Sequence, residues 1–464
     1  MKRTSSQPHR TGSRDLGPLI MLGLTLLLGL ALFLFGNGRG TGRSSDGDAA
    51  GIQSAGGSTA GAAAAAASPA VPALPPVPEG GIRIAVASDL HLDPDNTDHS
   101  GALIQASYNM ELADALLRDV KQRGSGILLL TGDLVNGGKL HRHEALIAKL
   151  RKAEAEGLRI FVLPGNHDLA PVSQSEFEAL YADFGYGEAF SRDRSSLSYS
   201  VVTDGLMLLM LDTAGYRAGA IDLPGAPARE NNEAFLSPAT LAWAEGQLKE
   251  AQRRGLRVLC AGHYNLLTSL SREPGSGFYL ENGERLAALL RAYGVPLYLS
   301  GHMHIQSVQQ EEGLTELLTE YLLAYPTGYS VLDIGRDALR FTPVRIDVDG
   351  WAAETRQTDP VLLRFARWQS ENLYRYCESA VSAMASGSSL REDEVRSAAE
   401  FFYAVMTAYW DGTLAQAHDR LETMPGCQPF FRCAEGYSYG WWLRDLMETA
   451  SPLLRGFTLN WPES

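Results

Sequence analysis

An apolar run, Arg159-Ile160-Phe161-Val162, gives way abruptly to Leu163-Pro164-Gly165-Asn166-His167-Asp168. The run reads as a buried strand and the hexapeptide as the loop at its C-terminal mouth, where open α/β sheets hold their ligands. Alone, the hexapeptide reads equally well as a turn, because Pro, Gly, Asn and Asp all favour turns. Four other apolar runs end in the same kind of residue: Ser88-Asp89-Leu90-His91, Thr131-Gly132-Asp133, Gly262-His263 and Gly301-His302-Met303-His304. Five of the ten histidines fall in these clusters, so a separate turn or satisfied core histidine at each place is a poor account of them. Carboxylate, imidazole and amide groups gathered at several strand ends are what a metal site requires.

The segments between the clusters fit that placement. Short apolar runs at 82–87, 126–130, 160–163, 258–261 and 297–299 read as strands, and amphipathic stretches at 110–122, 143–156, 238–254 and 284–293 as helices. Residues 197–202 and 206–211 flank Thr203-Asp204-Gly205 as a β-hairpin, and 314–323, 330–334 and 339–346 read as consecutive strands. The order predicts an α/β domain with helices outside and two sheets inside.

Taken together, Asp89-x-His91, Gly132-Asp133, Gly165-Asn166-His167-Asp168, Gly262-His263 and Gly301-His302-x-His304 resemble the calcineurin-like metallophosphoesterase superfamily over residues 82–345. The resemblance implies a four-layer αββα sandwich with a dinuclear metal centre at one edge. It places Asp89, His91 and His304 on one metal and Asn166, His263 and His302 on the other, with Asp133 bridging. By the same resemblance His167 faces the substrate, Asp168 fixes its tautomer and orientation, and the nucleophile is a hydroxide shared by the two ions. Independently, mixed nitrogen and oxygen donors suit Mn, Fe or Zn better than Ca or Mg. Gly165-Asn166-His167-Asp168 and Gly301-His302-Met303-His304 are similar to class III cyclic-nucleotide phosphodiesterases, and more narrowly Asn136-Gly137, His143-Glu144, Asn265-Leu266-Leu267, His304-Ile305-Gln306 and Tyr325-Pro326 resemble exported bacterial phosphoesterases with an added C-terminal helical region. The arginine motifs of the protein phosphatases are absent from 134–138 and 169–171. Tyr264 stands where those enzymes often carry a second histidine, and Asn136 and Tyr264 are the candidate substrate contacts. His141 and His143 read as a solvated helix face or as the rim of the site.

These residues point to a dinuclear phosphohydrolase acting on a small phosphodiester, with a phosphomonoesterase or nucleotidase as the alternative and a non-catalytic surface-binding protein as a third reading. A net charge of −14 argues against a nucleic-acid polymer as partner. Residues 1–36 read as a basic cytoplasmic stub and a signal anchor, because 19–35 contain Thr25 as their one polar side chain. Basic residues before that run place the remainder outside the cytoplasmic membrane, and a cleaved signal peptide with secretion is the alternative. Residues 37–80, rich in Gly, Ala, Ser and Pro, read as a linker, 81–350 as the metallophosphoesterase domain and 351–464 as a C-terminal helical cap. Of four cysteines, Cys427 and Cys433 are the candidate disulfide, with Cys377 as another partner for either. The oligomeric state is not legible.

Overall fold

The computed structural model describes residues 73–96, 105–214, 222–223, 234–267, 279–386, 388–411, 413–449 and 452–461. The expected anchor, 1–36, and most of the linker lie outside these residues. Among the described residues no helix is long and apolar enough to cross a membrane.

Two mixed sheets form the centre. Strands β1 (Ile82–Ala87), β2 (Ile127–Thr131) and β3 (Arg159–Leu163) run parallel, and β11 (Gly328–Ile334) and β12 (Ala338–Arg345) extend their sheet on the β1 side. The second sheet is ordered β4 (Ser191–Arg192), β5 (Tyr199–Thr203), β6 (Leu206–Met210), β7 (Arg257–Ala261), β8 (Leu297–Ser300), β10 (Leu314–Leu318) and β9 (Ser307–Glu311). Alternation along β6 shows why this is a sandwich. Leu206, Leu208 and Met210 belong to the large cluster shared with the first sheet, whereas Met207 and Leu209 pack in a second cluster with the helices Pro238–Arg254 and Gly283–Ala292. A strand apolar on both faces must be covered on both, so helices lie outside and the sheets face each other. The αββα architecture read from the sequence is the one observed.

Several boundaries differ. The stretch 314–323 is a strand only to Leu318, and Tyr321 beyond it bridges to Ser88 and stacks on His304 among the ligand clusters. Strand β9, rich in glutamine, and the short β4 give no apolar signal and were not expected. The last linker residues are strapped to the domain: Arg83 donates to the Pro75 carbonyl and Arg340 to that of Pro76, while Leu74 packs on the core.

The C-terminal region is helical as expected, with long helices at Phe365–Ala385 and Glu392–Trp410 and shorter ones at Leu414–Glu422, Cys427–Cys433 and Ser438–Thr449. The chain then returns to the sandwich as β13 (Phe457–Asn460), which pairs antiparallel with β12, an edge strand not anticipated. All four cysteines are free and buried. Cys427 and Cys433 sit at opposite ends of one helix, where a six-residue separation amounts to a rise of about 9 Å. That exceeds the span of a disulfide, so the expected pairing is corrected by helix geometry.

Candidate metal centre

The parallel strands β1, β2 and β3 of one sheet and β7 and β8 of the other end at a common mouth, and their next residues are the five clusters. Backbone bonds lace the loops together: Asp89 N to Gly132 O at 3.0 Å, His91 N to Asp133 O at 2.9 Å and Gly301 N to His263 O at 3.0 Å. Side chains add to this, with His167 N donating to Asp133 Oδ1 at 2.8 Å and His302 N to Asp89 Oδ2 at 3.0 Å. Asp89, His91, Asp133, His302 and His304 all have positive φ, between 41° and 65°. Each such residue costs on the order of 1–2 kcal/mol in an L-amino acid. Five in one site mean that the surrounding bonds aim the side chains against the backbone's own preference. Two glycines permit the approach. A Cβ on Gly165 would lie 2.2 Å from Asp133 Oδ1, and one on Gly301 would lie 2.4 Å from Asp89 Oδ2.

The donors converge in two groups, Asp89, His91, Asp133 and His304 in one and Asp133, His263 and His302 in the other, with ligand atoms of each group within 4.8 Å of one another. Asp133 belongs to both. Its Oδ2 lies 3.3 Å from His91 Nε2 and 3.5 Å from His263 Nε2. Asn166 Oδ1 lies 3.1 Å from His263 Nε2, which brings the amide into the second group. His91 and His304 bring their Nε2 atoms to 3.2 Å, and His302 Nδ1 approaches His263 Nε2 at 3.3 Å. The tautomer of His263 follows from its surroundings. Its Nδ1 is 2.9 Å from the Thr131 carbonyl, which can only accept, so Nδ1 carries a proton and, in the neutral ring, the Nε2 lone pair faces the centre.

This donor set fits two cations. Among the described residues Asp89 Oδ1 is buried without a hydrogen-bond partner, 3.2 Å from His304 Nε2. Burial disfavours the charged form of His91, yet the Asp133 and Asp89 carboxylates overcome it and push its pKa up to about 10. His263 is pushed up to about 9 by the same balance. Burial likewise opposes ionisation of Asp89 and Asp133, and the imidazoles hold both well below the usual carboxylate range. A water-poor pocket that stabilises two carboxylates and draws protons onto its imidazoles is one that attracts positive charge. All seven ligands expected from the sequence are brought together.

The other site residues are placed differently. His167 stands over the centre with its face open to solvent and its ring edge-on to His91 at 4.7 Å; partial desolvation in the site, together with the neighbouring imidazoles, lowers its pKa against the pull of Asp133. Asp168 does not orient it. The Asp168 carboxylate accepts from Leu134 N at 3.1 Å, Val135 N at 2.9 Å and Gly165 N at 2.8 Å, which ties the loop after β2 to the loop after β3. Its pKa is raised to about 7, by burial and by Asp133, against those three amides. His143 is no solvated residue of a helix face. It is fully buried, with Nε2 3.0 Å from the Asp168 carbonyl and Nδ1 2.9 Å from the Tyr181 hydroxyl, and burial lowers its pKa to about 4. His141 is half exposed beside Asp95. Asn136 donates to Asp93 Oδ2 at 3.1 Å, so its amide holds the loop. Tyr264 is fully buried and lies against His302 with ring centroids 4.0 Å apart, which makes it a support behind a ligand and corrects its reading as a substrate contact.

Two residues were missed by the sequence reading. Tyr321 stacks on His304 at 4.4 Å and 22°, and meets His91 edge-on at 5.1 Å. Thr213 Oγ1 accepts from the backbone amides of both His263 and Tyr264, each at 3.0 Å. Neither sits in a motif. Thr213 follows an apolar strand by a few residues, as the ligands do, and this is the one signal it carries.

Residues 82–306 match the calcineurin-like phosphoesterase family, and residues 347–448 match the C-terminal domain of cyclic nucleotide phosphodiesterase. Tartrate-resistant acid phosphatase type 5 of Rattus norvegicus is 30% identical over 162 residues, 34% of this chain and 47% of that protein. The Oryctolagus cuniculus protein of the same name is 30% identical over 183 residues, 36% of this chain and 54% of its own. The chain thus spans about half the length of the curated relatives it matches. A dimetal phosphatase from Danio rerio aligns with 57% of this chain and 96% of its own at 12% identity and a TM-score of 0.45. Purple acid phosphatase from yellow lupin (Lupinus luteus) aligns with 58% of this chain and 52% of its own at 15% identity and a TM-score of 0.41. Residues 82–306 are thus a calcineurin-like metallophosphoesterase domain, followed at 347–448 by a domain of the family found at the C-terminus of cyclic nucleotide phosphodiesterase.

Proposed function

We propose that this protein hydrolyses small phosphodiesters at a two-metal centre on the outer side of the cytoplasmic membrane. The observation that carries the reading is the shared carboxylate of Asp133, set between two donor groups of nitrogen and oxygen. Bound Mn, Fe or Zn supplies Lewis acidity toward a phosphoryl oxygen and lowers the pKa of water. The chain supplies the rest. Asp89, His91 and His304 would hold one ion, Asn166, His263 and His302 the other, and Asp133, which belongs to both donor groups, would be shared. His167, held neutral, donates a hydrogen bond to a phosphoryl or leaving-group oxygen. Preference for a diester is supported by the match of residues 347–448 to a cyclic nucleotide phosphodiesterase domain. The outer location is supported by the basic residues that precede the apolar run at 19–35.

A phosphomonoesterase is the second reading, favoured by the likeness to the acid phosphatases. Rates with bis(p-nitrophenyl) phosphate and p-nitrophenyl phosphate, each with Mn, Fe and Zn, separate the two. Faster turnover of the monoester refutes the diesterase reading, and no turnover of either with both ions bound refutes hydrolysis. In the same assay His167→Ala is expected to retain both ions and lose about 10²–10⁴ in rate.

A further inference from the structure

We propose that the C-terminal helical region is a positioning element of the metal centre, acting on one of its two ions through Tyr321. This rests on the two-metal reading above. The centre is nearly symmetric in one respect: each histidine of the Gly301-His302-Met303-His304 loop lies against a tyrosine ring, His302 on Tyr264 at 4.0 Å and His304 on Tyr321 at 4.4 Å. The two tyrosines are held by different parts of the chain. Tyr264 belongs to the catalytic sandwich, its backbone N bonded to Thr213 Oγ1.

Tyr321 belongs to a loop that leaves β10 and is gripped from outside the sandwich. On the inner side it forms a β-bridge with Ser88, and Leu322 N lies 3.4 Å from Asp89 O. On the outer side the next residues meet the helices. The Tyr325 ring packs on Trp410 at 5.8 Å, and Gln369 donates to Thr327 Oγ1. Gln369 also bonds Gln105 Oε1 at 3.0 Å, while Gln105 N bonds the Leu323 carbonyl at 2.8 Å. The ligand loop is gripped as well, because the buried Tyr409 hydroxyl donates to the Gln306 carbonyl at 3.2 Å, two residues after His304.

The helices therefore hold both the residue behind His304 and the backbone beyond it. His304 has φ +59°, so an imidazole aimed from a strained backbone depends on what lies behind it. Outer partners of this kind change metal affinity by roughly 10–100-fold when removed. The ion held by Asp89, His91 and His304 is the one under this control, and the ion held by Asn166, His263 and His302 is not.

The test is calorimetric titration of the full metal-stripped chain with Mn²⁺, with ion content read by mass spectrometry. Tyr321→Leu is expected to keep one site at wild-type affinity and weaken the other at least about 10-fold, matching the residual site of His304→Ala and not that of His302→Ala. Tyr321→Phe keeps the ring and should bind as wild type does, which separates loss of stacking from loss of folding. Tyr409→Phe should weaken the same site. Tyr264→Leu should weaken the opposite one. Tyr321→Leu binding both ions normally, weakening both equally, or resembling His302→Ala overturns the inference while leaving the two-metal reading intact. A wild-type chain that takes up one ion only refutes both.

Discussion

Asp168→Asn separates two accounts of the same residue. As an orienter of His167, Asp168 is dispensable for folding, and its replacement lowers the rate alone. The structure has its carboxylate accept three buried backbone amides, one at Oδ1 and two at Oδ2. An asparagine amide oxygen can keep the two bonds at the Oδ2 position. Its NH₂ then faces the Val135 N–H, two donors with no acceptor between them. A hydrogen bond contributes about 0.5–1.5 kcal/mol, and a buried donor left unsatisfied costs about 1–3 kcal/mol. A loss of about 2–4 kcal/mol follows, or a drop in Tm of roughly 2–8 °C at ~1–2 °C per kcal/mol for a fold of this size. Because the three amides belong to the loops that carry Asp133 and Asn166, metal affinity should fall as well. Differential scanning calorimetry with and without Mn²⁺, together with ion content, reads both effects. A variant with wild-type Tm and two ions but little turnover would refute the loop-clamp account and restore the orienting one.

Two further predictions test other parts of the same frame. Gly165→Ala places a methyl 2.2 Å from Asp133 Oδ1 and 2.3 Å from Asp133 N, so the shared ligand must move. Overpacking of this kind costs about 1–3 kcal/mol, and ion content by mass spectrometry should fall while Gly126→Ala, whose Cβ meets nothing within 4 Å, binds normally. Glu320 is buried, which raises its pKa to about 8 despite Arg345, and among the described residues its Oε2 has no hydrogen-bond partner. A carboxyl raised from 4.5 binds its proton more tightly in the folded chain, so stability is fully present below pH 4.5 and declines as pH rises through about 8. Glu320→Gln should remove a few kcal/mol of that decline in urea titrations taken from pH 5 to pH 9, and an unchanged slope would refute it.

Much of the architecture and the residues that converge at the candidate metal centre were legible in the sequence, for a physical reason. A buried parallel strand must be a run of apolar residues, and the loop at its C-terminal end must carry the polar chemistry, so Asp89, Asp133, Asn166, His263 and His302 announce themselves by their place after such runs. Supports carry no such mark. Tyr264 and Tyr321 are aromatic residues in a chain with eighteen tyrosines, and only the tertiary fold shows that each lies behind a ligand. Asp168, adjacent to His167, invites a pairing that the loop geometry gives to three amides instead. Cys427 and Cys433 invite a disulfide that one turn too many of helix forbids. Strand β13 pairs with an edge about 120 positions earlier in the chain, Phe457 opposite Phe341 and Asn460 opposite Ala338, and its four residues hold no local signal of that partner. The sequence by itself determined the chemistry, because ligand identity is a property of side chains. The tertiary structure alone decided which groups aim and hold those ligands, because that is a property of contacts between residues far apart in the chain.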